Sequence, residues 1–244
     1  MNRAILLFAI GVFFCAFVGP ASATPCSSTQ YDMMSWFTMG SSWSTQYHLA
    51  GNANPLYTYR GNVFYWVKGP AGYPWDVNYY DNNYIYQWAT EYQWNDPTSY
   101  KAFGGAGMPW SPRCVNMPAP GVHGTKLATI TRASSPYTMY NGNCTASSNS
   151  NLGHVVNEVW GPTPMSLGGS LAPNALTLTL SYRYSCDSSY DNCTYKETFD
   201  FQRPYGLVQW FYYKLQNGQY VQQNHTVFNQ KVSGGSPVPD HPCW

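Results

Sequence analysis

Apolar and polar residues alternate along the last third of the chain. Between Leu176 and Tyr184, leucine or tyrosine occupies every second position, and threonine, serine and arginine lie between them. A period of two places the apolar side chains on one face of a β-strand. Comparable segments predict further strands at Asn62–Lys68, Tyr84–Trp94, Lys126–Arg132, Val155–Trp160, Tyr195–Gln202, Leu207–Gln216 and Gln219–Phe228.

Turn signals join the last four of these strands into an antiparallel meander. The clearest signal is Asn217-Gly218, because both residues tolerate the positive φ of a type I′ turn. The connections predict a register, and one row of facing residues is Tyr182, Glu197, Tyr212 and Gln223. The next row on the same face is Leu180, Phe199, Trp210 and His225. Asn224 is expected on the opposite, polar face.

No segment shows the sustained 3.6-residue period of an amphipathic helix. Two stretches rich in turn-forming residues, Gly104–Gly124 and Ser134–Gly153, are expected to be long loops, and Ser233–Trp244 an extended strap. The sequence therefore predicts one all-β domain over residues 24–244. We expect an antiparallel, jelly-roll-like β-sandwich with a C-terminal four-stranded meander, and a closed β-barrel is the alternative.

The first residues, Met1–Ala23, have the pattern of a secretory signal peptide. Arg3 precedes the apolar run Ala4–Val18, and Ala21-Ser22-Ala23 is typical of a cleavage site. The run is shorter than the roughly 20 residues that span a bilayer. We expect an exported protein without a membrane anchor after cleavage, extracellular or periplasmic, and the sequence does not indicate its oligomeric state.

Export would place the remaining cysteines in an oxidising compartment, where an even number favours disulfides. A short polar loop separates Cys186 from Cys193, so this pair is expected to close a hairpin. The pairs expected for the other cysteines are Cys26–Cys243, at the two ends of the mature chain, and Cys114–Cys144. The spacing resembles no zinc-binding pattern, and neither a metal nor another cofactor is expected.

Composition narrows the class of ligand. Charged residues make up 9% of the chain and aromatic residues 18%, against about 25% charged residues in an average protein. Lys and Arg number 12 and Asp and Glu 11, so no basic excess exists to bind nucleic acid or an anionic membrane. Many tyrosine and tryptophan rings with little charge suit a neutral, hydroxyl-rich ligand, which indicates carbohydrate.

Glu197 is the most informative carboxylate, because its alternating neighbours Tyr195, Phe199 and Phe201 are aromatic. A carboxyl group buried among rings is expected to have a raised pKa, as a general acid requires near neutral pH. The alternative is a structural glutamate that accepts a hydrogen bond from a tyrosine inside the core.

Glu158 is the second candidate, since it shares a strand face with Trp160. A tryptophan ring can stack on a sugar while the carboxylate acts on its oxygens. The carboxyl groups of a glycosidase lie about 5–5.5 Å apart in retaining enzymes and about 6.5–9.5 Å apart in inverting enzymes. An exposed strand glutamate is an equally good interpretation.

These features predict a secreted protein that acts on a neutral polysaccharide, as a glycoside hydrolase with paired carboxylates. The expected catalytic residues are Glu197, Glu158, His225 and Tyr212. The expected carbohydrate contacts are Trp210, Trp160, Gln223, Trp88, Tyr182 and Glu91. Alternatives are a lectin-like glycan-binding module, a polysaccharide lyase with Tyr212 or His225 as base, and a structural extracellular protein. N-glycosylation sequons occur at Asn143, Asn192 and Asn224.

Overall fold

The computed structural model describes residues 26–37, 45–48, 57–60, 63–68, 73–93, 96–105, 107–228 and 230–233. The predicted signal peptide, nearly all of the predicted C-terminal strap and Cys243 lie outside these residues. The described strands are β1 (Gln30–Asp32), β2 (Thr45–His48), β3 (Tyr57–Arg60), β4 (Val63–Lys68), β5 (Tyr73–Tyr80), β6 (Tyr84–Gln93), β7 (Asp96–Phe103), β8 (Met108–Pro112), β9 (Cys114–Asn116), β10 (Thr125–Arg132), β11 (Pro136–Tyr140), β12 (Ala146–Asn151), β13 (His154–Met165), β14 (Ala175–Cys186), β15 (Cys193–Gln202), β16 (Gly206–Gln216), β17 (Gln219–Val227) and β18 (Gln230–Ser233). One short helix, α1, spans Met34–Phe37.

Two antiparallel sheets pack face to face. The six-stranded sheet has the order β10-β13-β14-β15-β16-β17, and the eight-stranded sheet has the order β12-β11-β7-β6-β5-β4-β3 with β8 paired to β6. Two short pairs, β1-β9 and β2-β18, form separate two-stranded sheets. The predicted antiparallel sandwich is therefore confirmed. The described sheets do not close on themselves, so the barrel alternative is wrong.

The core lies between the two sheets and is rich in aromatic rings. Trp110 from β8 is fully buried and packs against Phe199 from β15, with 4.9 Å between ring centroids. Helix α1 covers the same core, because Phe37 stacks on Phe201 at 4.2 Å. This part of the sandwich is densely filled, whereas Glu197 faces a cavity four residues before Phe201 on the same strand.

All predicted strands are present, but the two predicted loops contain further strands. Gly104–Gly124 includes β8 and β9, and Ser134–Gly153 includes β11 and β12. Pro109 and Pro112 lie in β8, where they weaken the strand signal. Strand β12 consists of alanine, serine and asparagine, is fully exposed and forms a sheet edge. Polar edge strands carry no alternation, so the pattern could not identify it.

The C-terminal meander is confirmed, and the two predicted rows that contain Glu197 and Phe199 are correct across β14, β15 and β16. Glu197 faces Tyr182 on one side and Tyr212 on the other. A β-bulge then shifts the pairing, because Tyr212 faces Asn224 while Tyr213 faces Gln222. The bulge leaves Gln223 as the extra residue.

This bulge overturns two predictions. His225 faces Phe211 and belongs to the outer face of the six-stranded sheet, away from Glu197. Asn224 instead joins the row of Glu197 on the inner face. The polar outer face is also less solvated than expected, since Thr177, Asp200 and Gln209 are buried.

The disulfide Cys186–Cys193 connects β14 to β15, as predicted. The pairs Cys26–Cys243 and Cys114–Cys144 are wrong, because Cys26 bonds Cys114. Strand β1 pairs with β9, and a turn between Ser27 and Gln30 brings Cys26 back towards Cys114, at 5.6 Å between Cα atoms. Cys144 is also disulfide-bonded.

Candidate functional site

Glu197 lies on the inner face of β15 within a ring of aromatic side chains. On β14, Tyr182 stacks on Tyr184 at 4.8 Å, and Tyr184 stacks on Tyr195 at 5.1 Å. On β16, the planes of Trp210 and Tyr212 are 4° from parallel, at 6.4 Å. These residues meet because strand alternation and the register place every second side chain of three neighbouring strands on this face.

A cavity of about 410 Å³ opens above this ring, between the two sheets. The six-stranded sheet contributes Tyr182, Tyr184, Glu197, Trp210, Tyr212, Gln223 and Asn224. The eight-stranded sheet contributes Asp76, Gln87, Thr90, Lys101 and Phe103, and Leu152, which directly follows β12, also lines the cavity. The cavity thus combines ring faces with carboxylate, amide, hydroxyl and ammonium groups, in the size range of small-molecule sites.

Two neutral donors hold the carboxylate of Glu197. The indole Nε1 of Trp210 donates to Oε2 at 2.8 Å, and the hydroxyl of Tyr184 also hydrogen-bonds to Glu197. Burial raises the pKa of Glu197 above its ordinary value, and these hydrogen bonds and the charge of Lys101 offset the rise only in part. Glu197 therefore keeps its proton to a higher pH than an exposed glutamate.

The tyrosines around Glu197 are held neutral. Burial, and then the charge of Glu197, raise the pKa of Tyr184 well above its ordinary value, and the pKa of Tyr182 rises in the same way. The pKa of Tyr212 is raised by burial and by Tyr195 and Glu197. These hydroxyls are therefore hydrogen-bonding groups at neutral pH, and the raised pKa disfavours Tyr212 as the base of a lyase.

The opposite wall carries a second carboxylate. Asp76 on β5 is 1% exposed, and its Oδ1 accepts a hydrogen bond of 2.9 Å from Gln87 Nε2. The register aligns Asp76 with Thr90 and Lys101 across three strands. Gln87 is 3% exposed, and its Oε1 has no hydrogen-bond partner within the described part of the chain. A buried, unpaired acceptor is costly, so this carbonyl is able to accept a hydrogen bond from a group that enters the cavity.

Glu158 lies on the other face of the six-stranded sheet, so the predicted pair with Glu197 is wrong. Its neighbours are Lys126 Nζ at 3.1 Å, Arg183 Nη2 at 3.5 Å and Trp160 Nε1 at 3.4 Å. Strand β14 separates the two glutamates, and their side chains point in opposite directions. With strands about 4.8 Å apart, the carboxyl groups are separated by more than roughly 10 Å, beyond either glycosidase geometry.

Trp160 and His225 share the outer face with Glu158. The ammonium of Lys126 lies 5.6 Å from the Trp160 ring centroid, and the His225 ring stacks on Phe211 at 4.1 Å. Trp88 packs in a small cluster with Val77, Ala89 and Tyr100, away from the cavity. The side chain of Glu91 lies outside the described part of the structure.

The structure thus brings together Glu197, Tyr212, Trp210, Gln223 and Tyr182 from the predicted site. The sequence pattern did not indicate Asp76, Gln87 and Lys101. Asp76 lies in Tyr73–Tyr80, which is not among the predicted strands, although Asp76 and Asn78 alternate with the buried Val77. That alternation is the signal that could have identified the strand.

The described residues contain no group of three His, Cys, Asp or Glu side chains arranged to hold a metal ion. In the same part of the chain, no helix has the length and apolar character needed to cross a membrane. Comparisons with models of protein families, with curated proteins and with solved structures found no match to this chain.

Proposed function

We propose that the protein is secreted and binds a neutral carbohydrate in the cavity around Glu197. The observation that carries the proposal is the lining itself, in which aromatic faces lie beside amide, hydroxyl, carboxyl and ammonium groups. A sugar ring presents C–H faces to aromatic side chains and hydroxyl groups to polar ones. A cavity of about 410 Å³ has room for one or two such rings.

Both hydrogen-bond donors and hydrogen-bond acceptors line the cavity, and a sugar hydroxyl needs both kinds of partner. The amides of Gln223 and Asn224 can donate and accept, and the neutral tyrosines can do the same. The carbonyl of Gln87 adds an acceptor that lacks a partner in the described structure, which a ligand hydroxyl would satisfy. The opposite charges of Lys101 and the carboxylates favour a ligand without net charge.

Two features support export. The sequence predicts a signal peptide at Met1–Ala23, and disulfides are stable outside the reducing cytosol. The chain forms Cys26–Cys114 and Cys186–Cys193. Mass spectrometry of the protein from the culture medium or periplasm, starting at Thr24, tests this part of the proposal.

The binding test uses an array of neutral oligosaccharides of glucose, galactose, mannose and xylose. The protein should bind a defined subset, and Gln223→Ala should weaken that binding about tenfold, because one ligand hydrogen bond contributes roughly 1.4 kcal/mol. The matched control is Gln222→Ala, since Gln222 is the exposed neighbour whose partner Tyr213 belongs to the outer face.

Equal binding by both glutamine variants would place the ligand elsewhere on the molecule. If the wild-type protein binds no oligosaccharide on the array, the carbohydrate proposal is refuted. Competition by the free sugar, measured by isothermal titration calorimetry, excludes attachment through the array surface.

A further inference from the structure

We propose that the cavity hydrolyses the glycosidic bond of its ligand, with Glu197 as the general acid and Asp76 as the general base. This inference rests on the proposed carbohydrate binding and adds a reaction to it. It replaces the excluded pair of Glu197 and Glu158 with a carboxylate from the facing sheet.

The geometry places the two carboxylates on opposite walls of one space. Asp76 projects from β5 of the eight-stranded sheet and Glu197 from β15 of the six-stranded sheet, and both line the cavity. Both carboxylates also act electrostatically on the hydroxyl of Tyr182. A sugar in the cavity would therefore have a carboxyl group on each side, as glycosidic bond cleavage requires.

The two environments assign different roles. Glu197 is surrounded by tyrosine and tryptophan rings, and burial raises its pKa, which keeps a proton available for a leaving group. Asp76 accepts the amide N–H of Gln87 at 2.9 Å, and Lys101 lies in its row, although the charge of Lys101 also acts on Glu197. Because Glu197 is the carboxyl group that retains its proton, Asp76 on the facing wall is the partner that takes a proton from water.

Gln87 provides an independent indication that a ligand belongs beside Asp76. Its Nε2 is used by Asp76, whereas its Oε1 has no partner in the described residues, and the side chain is 3% exposed and lines the cavity. A sugar hydroxyl that donates to Oε1 would lie next to the Asp76 carboxylate. The same residue would thus orient both the base and the substrate.

The step balances with water as the second reactant. Asp76 takes a proton from a water molecule while the oxygen of that water forms a bond to the anomeric carbon. The bond from that carbon to the leaving oxygen breaks, and Glu197 gives its proton to that oxygen. The products are a hemiacetal sugar and an alcohol or shorter glycan, and the proton on Asp76 returns to Glu197 through solvent.

The test separates the two roles by the leaving group. Two sets of probes are incubated with the full chain: the array oligosaccharides, which need protonation of the leaving oxygen, and 2,4-dinitrophenyl glycosides of the same sugars, which do not. Glu197→Gln should lower kcat/KM about 10²–10⁴-fold for the oligosaccharides and less than about tenfold for the dinitrophenyl glycosides. Asp76→Asn should lower both by about 10²–10⁴-fold.

Glu158→Gln is the matched control, since it removes a glutamate charge from the outer face of the same sheet and should leave turnover unchanged. Calorimetric binding of the oligosaccharide by each variant verifies that the cavity is folded. Wild-type protein that binds oligosaccharides without cleaving them would overturn this inference and leave the binding proposal intact. Full retention of turnover by Asp76→Asn, or equal losses on both probe sets in Glu197→Gln, would overturn the assigned roles.

Discussion

Glu197 and Glu158 lie in the same sheet with one strand between them, yet their surroundings are opposite. Neutral donors hold Glu197, with Trp210 Nε1 at 2.8 Å, inside a cavity between the sheets. Cations hold Glu158, with Lys126 and Arg183 within 3.5 Å, on the outer face. Each glutamate also has a tryptophan beside it, so residue type alone does not separate them. The face of the strand decides which carboxyl group pairs with cations and which lies among neutral donors.

The largest expected difference concerns the two tryptophans. Trp210→Phe removes the donor to Glu197 and shrinks a side chain that is 5% exposed, so it should lower the free energy of unfolding by about 3 kcal/mol. Trp160→Phe removes a longer contact of 3.4 Å on the outer face and should cost less than about 1 kcal/mol. Urea denaturation at pH 7.5 measures both. Similar losses would mean that the two glutamates have equivalent partners.

A smaller effect, with opposite signs, is expected when the glutamates themselves lose their charge. Glu158→Gln leaves Lys126 and Arg183 without their counter-ion and should destabilise the protein by about 1 kcal/mol at pH 7.5. Glu197→Gln removes a desolvated charge and keeps an acceptor for Trp210, so it should leave stability equal or raise it. The same urea titrations decide the sign, and a clear loss in Glu197→Gln would contradict the interpretation of its surroundings.

The pH dependence sharpens the description of Glu197. Below its unfolded-state pKa of about 4.5 the group is protonated in both the folded and the unfolded state, so it contributes nothing to the pH dependence of stability. Between 4.5 and the raised folded pKa, the unfolded chain releases its proton first, so folding stability falls as pH rises. As pH rises through this window, the free energy of unfolding of the wild type should therefore fall relative to that of Glu197→Gln. Above the window the difference between the two should stay constant. A constant difference across the window would indicate an unshifted carboxyl group.

The smallest effects are expected at the bulge of β17, where the adjacent residues Gln222 and Gln223 lie on opposite faces of the sheet. Gln222→Ala and Gln223→Ala should each change stability by less than about 0.5 kcal/mol, because both side chains are exposed. Thermal unfolding of the two variants measures this. A larger loss in Gln223→Ala alone would show that its contacts maintain the bulge, and its effect on ligand binding would then need separation from folding.

Sequence patterning located most of one wall of the site, for a physical reason. In β14–β16 one face is apolar, so a register slip would expose leucine and phenylalanine, and alternation identified Tyr182, Glu197 and Tyr212 as neighbours. In β17 the residues Gln222 to Asn224 are all polar. A one-residue shift there costs no apolar burial, so the pattern contains no signal for the bulge.

The facing wall could not be derived from the pattern. Asp76 reaches the cavity only because the eight-stranded sheet packs over the six-stranded one, which is a tertiary contact between distant parts of the chain. The predicted partner Glu158 came from its proximity to Trp160 along one strand. Whether Asp76 or Glu158 lies opposite Glu197 depends on which sheets face each other, and local alternation holds no information on that.

The inward turn of Asn224 has a consequence for producing the protein. Asn224, His225 and Thr226 form a sequon, and the Asn224 amide lines the cavity. In a eukaryotic expression host, an N-linked glycan there would begin inside the entrance and compete with added sugar, whereas glycans at Asn143 and Asn192 would extend from exposed turns. Material from a bacterial host keeps the entrance clear, and this choice determines whether any binding experiment starts from an open site.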